Sequence, residues 1–199
     1  MGGRLVSEFT VGMGMDLDAL DQLLSAARAR TGHKAFVIVG SLAILGTLRQ
    51  RSVPERMLVS RDVDCYTRDD PGRIFELQDE LGEGSPFDQA HGYFLAPVSP
   101  NLPTLPDGWE QRLLEIVLPS GVHAHFLDPN DAAVSKYARG DRRDGEWLRA
   151  GLAAGLLSIA VIDSRFRQTS FFDAAESRRA RGLLEADEAW LATLDFPRA

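Results

Sequence analysis

Sulfur chemistry is almost absent from this chain: Cys65 is the single cysteine among 199 residues. It cannot close an internal disulfide, and such sparing cysteine use fits a reducing compartment. Long apolar runs are missing as well. The longest, Ala150 to Ile162, is broken by Gly151 and Gly155 and falls short of the roughly 20 apolar residues that cross a bilayer, so no membrane partner is expected. Met1 to Met15 holds one arginine, no continuous apolar block and no small-residue cleavage pattern. It does not read as a secretory leader, Met13 and Met15 offer later starts, and a cytoplasmic location is expected. Basic excess is lacking too: 22 Lys and Arg face 29 Asp and Glu, a net charge of -7. That balance excludes a protein built chiefly to coat nucleic acid, though not a local basic groove.

What is present is ordinary globular material, 44% hydrophobic and 26% charged, enough for one core. Asp16 to Arg30 places Leu17, Leu20, Leu23, Leu24 and Ala27 at the spacing of an amphipathic helix. Phe36 to Val39 reads as a short buried strand. It ends at Gly40-Ser41, and Leu42, Ile44, Leu45 and Leu48 then suggest a short helix starting at the serine. Within Met57 to Tyr66, the run Asp62-Val63-Asp64-Cys65-Tyr66 alternates as a half-buried strand does. Ile74 to Leu81 reads as a helix, and Gly82 to Gly108 as loop apart from a strand at Tyr93 to Ala96. Leu113 to Leu118 and Val122 to Leu127 flank Pro119-Ser120-Gly121 as a hairpin. Asp131 to Arg139, Asp141 to Leu157 and Asp173 to Leu194 read as helices. The expected fold class is α+β in a single domain, 1–199: a mixed sheet flanked by helices over 16–128, and a helical C-terminal part over 129–199 packed on it.

Two motifs carry chemistry. Side chains at i and i+2 of a strand leave the same face, so Asp62 and Asp64 present two carboxylates side by side. Like charges so placed repel unless a cation sits between them, and hard divalent cations accept such oxygen ligands. Gly40 permits close backbone approach, and a serine opening a helix offers a hydroxyl and free N–H groups to an anion. The order is apolar strand, Gly-Ser, helix, then a strand bearing Asp-x-Asp, which sets a phosphate seat beside a metal pair. Lys136 is one of two lysines, with Lys34; with Arg139 and Arg143 it would form a cationic stripe if the helix runs through Gly140. The bland readings are an exposed acidic strand face, an N-cap serine and a surface salt bridge. His123 and His125 share a strand face without a matched third ligand, and Trp109, Trp147 and Trp190 read as packing residues.

Val39-Gly40-Ser41 followed by Asp62-Val63-Asp64 resembles the signature of the DNA polymerase beta-like nucleotidyltransferase superfamily. More narrowly, Gly40 to Gly46, Ser60 to Tyr66, Gly82 to Phe87, Leu105 to Trp109 and Ala133 to Lys136 look like an uncharacterised bacterial nucleotidyltransferase-like family, similar to abortive-infection toxin nucleotidyltransferases. The resemblance covers about Phe36 to Leu157. It implies an NTP substrate held by Gly40 and Ser41, Mg²⁺ (or Mn²⁺) on Asp62 and Asp64, and phosphate contacts from Lys136 and Arg143 with Asp144 helping to position them. It also implies an acceptor such as tRNA or a protein and, for a toxin-antitoxin pair, an antitoxin protein as partner.

The chain departs from that pattern in two places. Superfamily members commonly carry a third carboxylate on a later strand, as general base or metal ligand; Glu115, alternating with Leu113 and Val117, is the best candidate here and Asp128 the second. Gly140-Asp141-Arg142-Arg143-Asp144 stands where the narrower family tends to have Gly-Arg-acidic-Lys-Asp. The leading expectation is a Mg²⁺-dependent nucleotidyltransferase passing a nucleoside monophosphate to an unknown acceptor. The alternative is a catalytically silent regulatory or interaction module of the same fold; a nuclease using Asp62, Asp64, Glu115 and Lys136 is a third reading.

Overall fold

The computed structural model describes residues 15–48 and 50–194; the readings on the segment before Met15 lie outside the described residues. Helix α1, Leu17–Thr31, starts where the Asp16 carboxylate accepts from the Ala19 N–H at 2.8 Å, and stops at Gly32 in the left-handed conformation. Its buried stripe is Leu20, Leu23, Leu24 and Ala27, as the spacing predicts. Fully burying each leucine is worth about 1.5–3 kcal/mol against leaving it in water, so the stripe fixes which side of α1 faces the core.

Among the described residues, five strands form one mixed sheet: β1 Ala35–Ile38, β2 Asp62–Thr67, β3 Phe94–Pro97, β4 Leu114–Val117 and β5 His123–Phe126, in the order β3-β2-β1-β5-β4. β1 is antiparallel to β2 and parallel to β5, β2 is parallel to β3, and β4 with β5 is the antiparallel hairpin expected around Ser120. Partners across a ladder share a face. One face therefore carries Val63, Cys65, Phe36, Ile38, Ala124, Phe126 and Ile116, every one buried. The opposite face carries Asp62, Asp64, Tyr66, Val37, His125 and Glu115. The alternation read from β2 thus puts its carboxylates on the face that holds the chemistry and Cys65 in the core.

Beyond the sheet, α4 (Pro129–Arg139), α5 (Arg142–Ala153), α6 (Ile159–Phe166) and α7 (Ala174–Leu191) make the helical C-terminal part; α2 (Gln78–Leu81) and α3 (Pro86–His91) precede β3. The Tyr137 hydroxyl of α4 donates to Asp187 of α7 at 3.0 Å, and Arg149 of α5 binds the same carboxylate at 2.8 Å. Asp131 of α4, fully buried, is held by Arg112 at 2.7 Å and Arg165 at 3.1 Å. These buried bonds, and one apolar cluster running from Met15 to Leu184, tie the helices to the sheet. The α+β class is borne out.

Several local expectations are corrected. The short helix expected to start at the serine is present as a 3-10 helix, Ser41–Thr47, and six of its seven residues are buried. A Cβ on Gly46 would stand 2.7 Å from the Phe126 side chain, so the segment packs directly on β5. Ile74 to Leu81 is 3-10 from Pro71 to Leu77 and α-helical only over its last four residues. Helix α3 lies inside the stretch read as loop: Ser85 caps it by accepting from the Asp88 N–H, Pro86 opens it and Gly92 ends it at φ 78°. Helix α6, capped by Ser158, was not expected either. Gly140 ends α4 in the left-handed conformation, so the cationic stripe of Lys136, Arg139 and Arg143 does not lie on one continuous helix.

Candidate active site

Gly40 leaves the end of β1 at φ +64°, and a Cβ there would stand 2.0 Å from Asp64 Oδ2. Only glycine adopts such a φ without strain and leaves room for that carboxylate. The adjoining backbone is pinned by the Val39 N–H donating to the Asp64 carbonyl at 2.9 Å. Asp64 is therefore packed against the Gly-Ser turn, while Asp62, two residues earlier on the same face, accepts from the Ser60 hydroxyl. The two motifs expected on neighbouring strands meet.

Behind them stands a buried ion network. Lys136 and Asp144 are each 3% exposed. The Lys136 ammonium donates to Asp144 Oδ1 at 2.9 Å and to the Ser41 hydroxyl at 3.0 Å. Arg139 closes on both Asp144 oxygens at 2.7 Å, a bidentate fork that fixes the carboxylate plane. The Trp147 indole N–H donates to the Ser41 carbonyl at 3.2 Å, and its ring lies 4.8 Å from the ammonium. Burial works against the Asp144 charge, but hydrogen bonds from Arg139 and Lys136 outweigh it and hold its carboxyl below the usual range. Burial likewise depresses the Lys136 ammonium, opposed by Asp144.

Asp64 is the less compensated member. Burial first, then the charge of Asp62, pushes its carboxyl up to about 6 against the pull of Lys136 and Arg139. The nearest ammonium is committed to Ser41 and Asp144. A pair of carboxylates short of positive charge, with oxygens on one sheet face, is the donor set a hard divalent cation accepts. Mg²⁺ in particular is held by one or two carboxylates together with substrate phosphates and water. The residues present fit such an ion, although among the described residues no group of three or more metal-ligating side chains exists.

The third carboxylate is not where the alternation pointed. Glu115 is exposed on the edge strand β4, where it binds His123 at 2.6 Å. Strands β5 and β1 separate it from the Asp62–Asp64 strand, a lateral step of about 14 Å at ordinary strand spacing. Asp128 spends Oδ1 capping α4, accepting from the Asn130 and Asp131 N–H groups. Arg143 reaches the site without an ion pair among the described residues: with Ser41, Asp62, Arg139, Asp144 and Trp147 it lines a cleft of about 820 Å³. The structure therefore gathers Gly40, Ser41, Asp62, Asp64, Lys136, Arg143 and Asp144 and leaves Glu115 out. Ser60 and Trp147 were not among the expected site residues; Arg139, expected with Lys136 and Arg143 as part of a cationic stripe, instead forks onto Asp144.

A mixed sheet thus sets a Gly-Ser turn against a paired-aspartate strand, with a buried lysine on the serine. Residues 15–193 match the family described as a nucleotidyltransferase of unknown function (DUF6036), and the chain belongs to that family. No curated protein and no solved structure is found to match it.

Proposed function

We propose that the protein transfers a nucleoside monophosphate from an NTP to an acceptor hydroxyl, with Mg²⁺ (or Mn²⁺) held by Asp62 and Asp64. The observation that carries this reading is the chain of contacts Asp144–Lys136–Ser41 standing beside Gly40 and Asp64. Burying an ammonium and a carboxylate together costs several kcal/mol of desolvation per ion. A core of apolar residues would hold α4 as well, so the arrangement is explained by the cation it aims at the Gly-Ser turn.

In this reading Ser41 and Lys136 hold the terminal phosphates, and Arg143, from the start of α5, neutralises charge at the cleft mouth. Asp144 and Arg139 do not touch substrate; they fix the ammonium so that no reorganisation is needed as charge moves onto the leaving pyrophosphate. The divalent cation, when bound, screens the triphosphate and polarises the phosphorus. The acceptor oxygen forms a bond to the α-phosphorus as the bond to the bridging oxygen breaks. Pyrophosphate departs with that electron pair, and the acceptor hydroxyl's proton passes to solvent water. Positioning and electrostatics supply the rate, since among the described residues no group of three or more metal-ligating side chains exists.

That two-carboxylate set also favours a second reading, a nucleotide-binding regulatory module without turnover. Incubation with each α-labelled NTP and Mg²⁺ separates them. Transfer of label with release of pyrophosphate, lost in Asp62→Ala/Asp64→Ala, supports the transferase; magnesium-dependent binding without release of pyrophosphate supports the silent module. Wild-type protein that binds no NTP overturns both.

A further inference from the structure

Gly82-Glu83-Gly84-Ser85-Pro86-Phe87 holds neither phosphate nor metal in the reading above, yet the fold brings it to the same place. Glu83 lines the cleft of about 820 Å³ together with Ser41, Asp62 and Phe94. The loop is pinned there. Arg61, next to Asp62, binds Asp88 at 2.6 Å, Asp88 Oδ2 accepts from the Gly84 N–H at 3.0 Å, and the Gln89 amide donates to the Gly84 carbonyl at 2.9 Å.

Strand order supplies a direction. Ser41 follows β1, Asp62 and Asp64 stand on β2, and β3 lies across β2 from β1. On β3, Phe94 pairs with Asp62 and Ala96 with Asp64, and ladder partners share a face. With terminal phosphates at Ser41 and the α-phosphate at the carboxylate pair, one further strand step of about 5 Å brings the nucleoside to Phe94.

The side chains at that end suit a base. Of the apolar residues lining the cleft, Met57 and Trp147 are buried, while Val59 and Ala96 have no π face. Phe94 is half-buried, and among the described residues it neither belongs to the apolar cluster nor pairs with another ring. An aromatic ring so placed is a stacking platform that accepts any base. The carboxylates of the cleft are engaged with one exception. Asp62 accepts from Ser60, Asp141 meets Arg139, Asp144 meets Lys136 and Arg139, and Glu146 meets Arg56 and Arg142. Glu83 is exposed and in no ion pair among the described residues. A carboxylate accepts hydrogen bonds and cannot donate them, so an exocyclic amine satisfies it and a carbonyl in the same position does not.

Resting on the transferase reading above, we propose that Phe94 and Glu83 form the nucleobase subsite. The base stacks on the Phe94 ring and gives an exocyclic N–H to the Glu83 carboxylate, so the site selects the bases that carry an amine, adenine, guanine or cytosine, against uracil.

The test is calorimetric titration, with Mg²⁺, of ATP, GTP, CTP, UTP and ITP, and of inorganic tripolyphosphate as a probe without a base. The proteins are full-length wild type, Glu83→Gln, Phe94→Ala and Phe94→Tyr. UTP and ITP carry no exocyclic amine, and each should bind at least tenfold more weakly than the tightest of the other three. Glu83→Gln, whose amide donates as well as accepts, should close most of that gap. Phe94→Ala should weaken the tightest NTP about tenfold while tripolyphosphate binds as it does to wild type, and Phe94→Tyr should restore NTP binding. UTP or ITP bound as tightly as the other three, a gap that persists in Glu83→Gln, or a Phe94→Ala variant that keeps NTP binding or loses tripolyphosphate equally would each overturn the subsite and leave the transferase reading in place. Wild-type protein that binds no NTP removes both.

Discussion

At the residue scale the site is a contest over charge, and Asp64 loses it. Its carboxyl is raised from the ordinary 3.8 to about 6, so between those values the folded protein binds more protons than the unfolded chain. Stability therefore falls as pH rises through that window, and the cost is fully present above it. Asp64→Asn should raise stability at pH 7 in the absence of divalent ions by about 1–2 kcal/mol, after discounting for the residue's partial exposure. Urea unfolding of both proteins from pH 4 to pH 7.5 checks this: the gap should open across the window, and its absence would mean Asp64 is not strained. Lys136→Met should behave oppositely. It leaves Asp144 buried with Arg139 as its remaining partner, at a cost of about 1–3 kcal/mol, and NTP binding should weaken at least tenfold. Glu115→Gln, in contrast, should leave NTP binding and label transfer within twofold of wild type, because that carboxylate is engaged with His123 across the sheet. A large loss there would restore it to the site.

At the element scale, the short connection from β1 into the 3-10 turn is the least replaceable piece of backbone. Gly40 and Gly92 share a left-handed φ, 64° and 78°, but a Cβ on Gly92 meets nothing within 4 Å while one on Gly40 meets Asp64. Gly92→Ala should cost about 1 kcal/mol, the strain alone. Gly40→Ala should cost at least twice that and abolish NTP binding, since Asp64 must move to make room; equal losses in the two variants, read by thermal unfolding and calorimetry, would contradict that close approach. How much could be read in advance also divides by element. The α1 stripe, the strand bearing Asp62 and Asp64, and the β4–β5 hairpin were legible because periodicity and turn residues act locally. Helix α3 was not: a passage rich in Gly and Pro reads as loop, although Ser85-Pro86 and Gly92 supply its start and stop. The short helix after Gly40 was legible as a helix, but the close approach of Gly46 to Phe126, where a Cβ would stand 2.7 Å from that side chain, is a tertiary contact that no local pattern carries.

At the scale of the whole molecule, the sheet order decides which residues can cooperate. Glu115 lies on the sheet face of Asp62 and Asp64, but a face is not a distance. Two intervening strands put it at the far edge, and strand order is set by long-range pairing that single-strand patterns do not encode. The network of Lys136, Asp144 and Arg139 was partly legible, because a scarce lysine stood out, Arg139 lay one turn on from it, and the family resemblance implied a role for Asp144. Its hydrogen bonds to Ser41, and the Trp147 indole on the Ser41 carbonyl, depend on how α4 and α5 fold back over β1. The helical part therefore completes the site rather than only supporting it. Asp187, which holds Tyr137 and Arg149 together, lies far along the chain from the motifs. Asp187→Ala should cost about 1–3 kcal/mol by leaving the Tyr137 hydroxyl buried and unpaired, whereas adding Tyr137→Phe should recover part of that loss in chemical denaturation.

The central claim is that Asp62 and Asp64 hold a divalent cation against a triphosphate seated by Ser41 and Lys136. Calorimetric titration of the four NTPs, with and without Mg²⁺, into wild-type protein and the Asp62→Ala/Asp64→Ala variant tests it most directly, with circular dichroism confirming that both remain folded. The account predicts binding of at least one NTP that strengthens at least tenfold with Mg²⁺ in the wild type and no magnesium dependence in the variant. Equal binding by the two proteins, or none by the folded wild type, would contradict it.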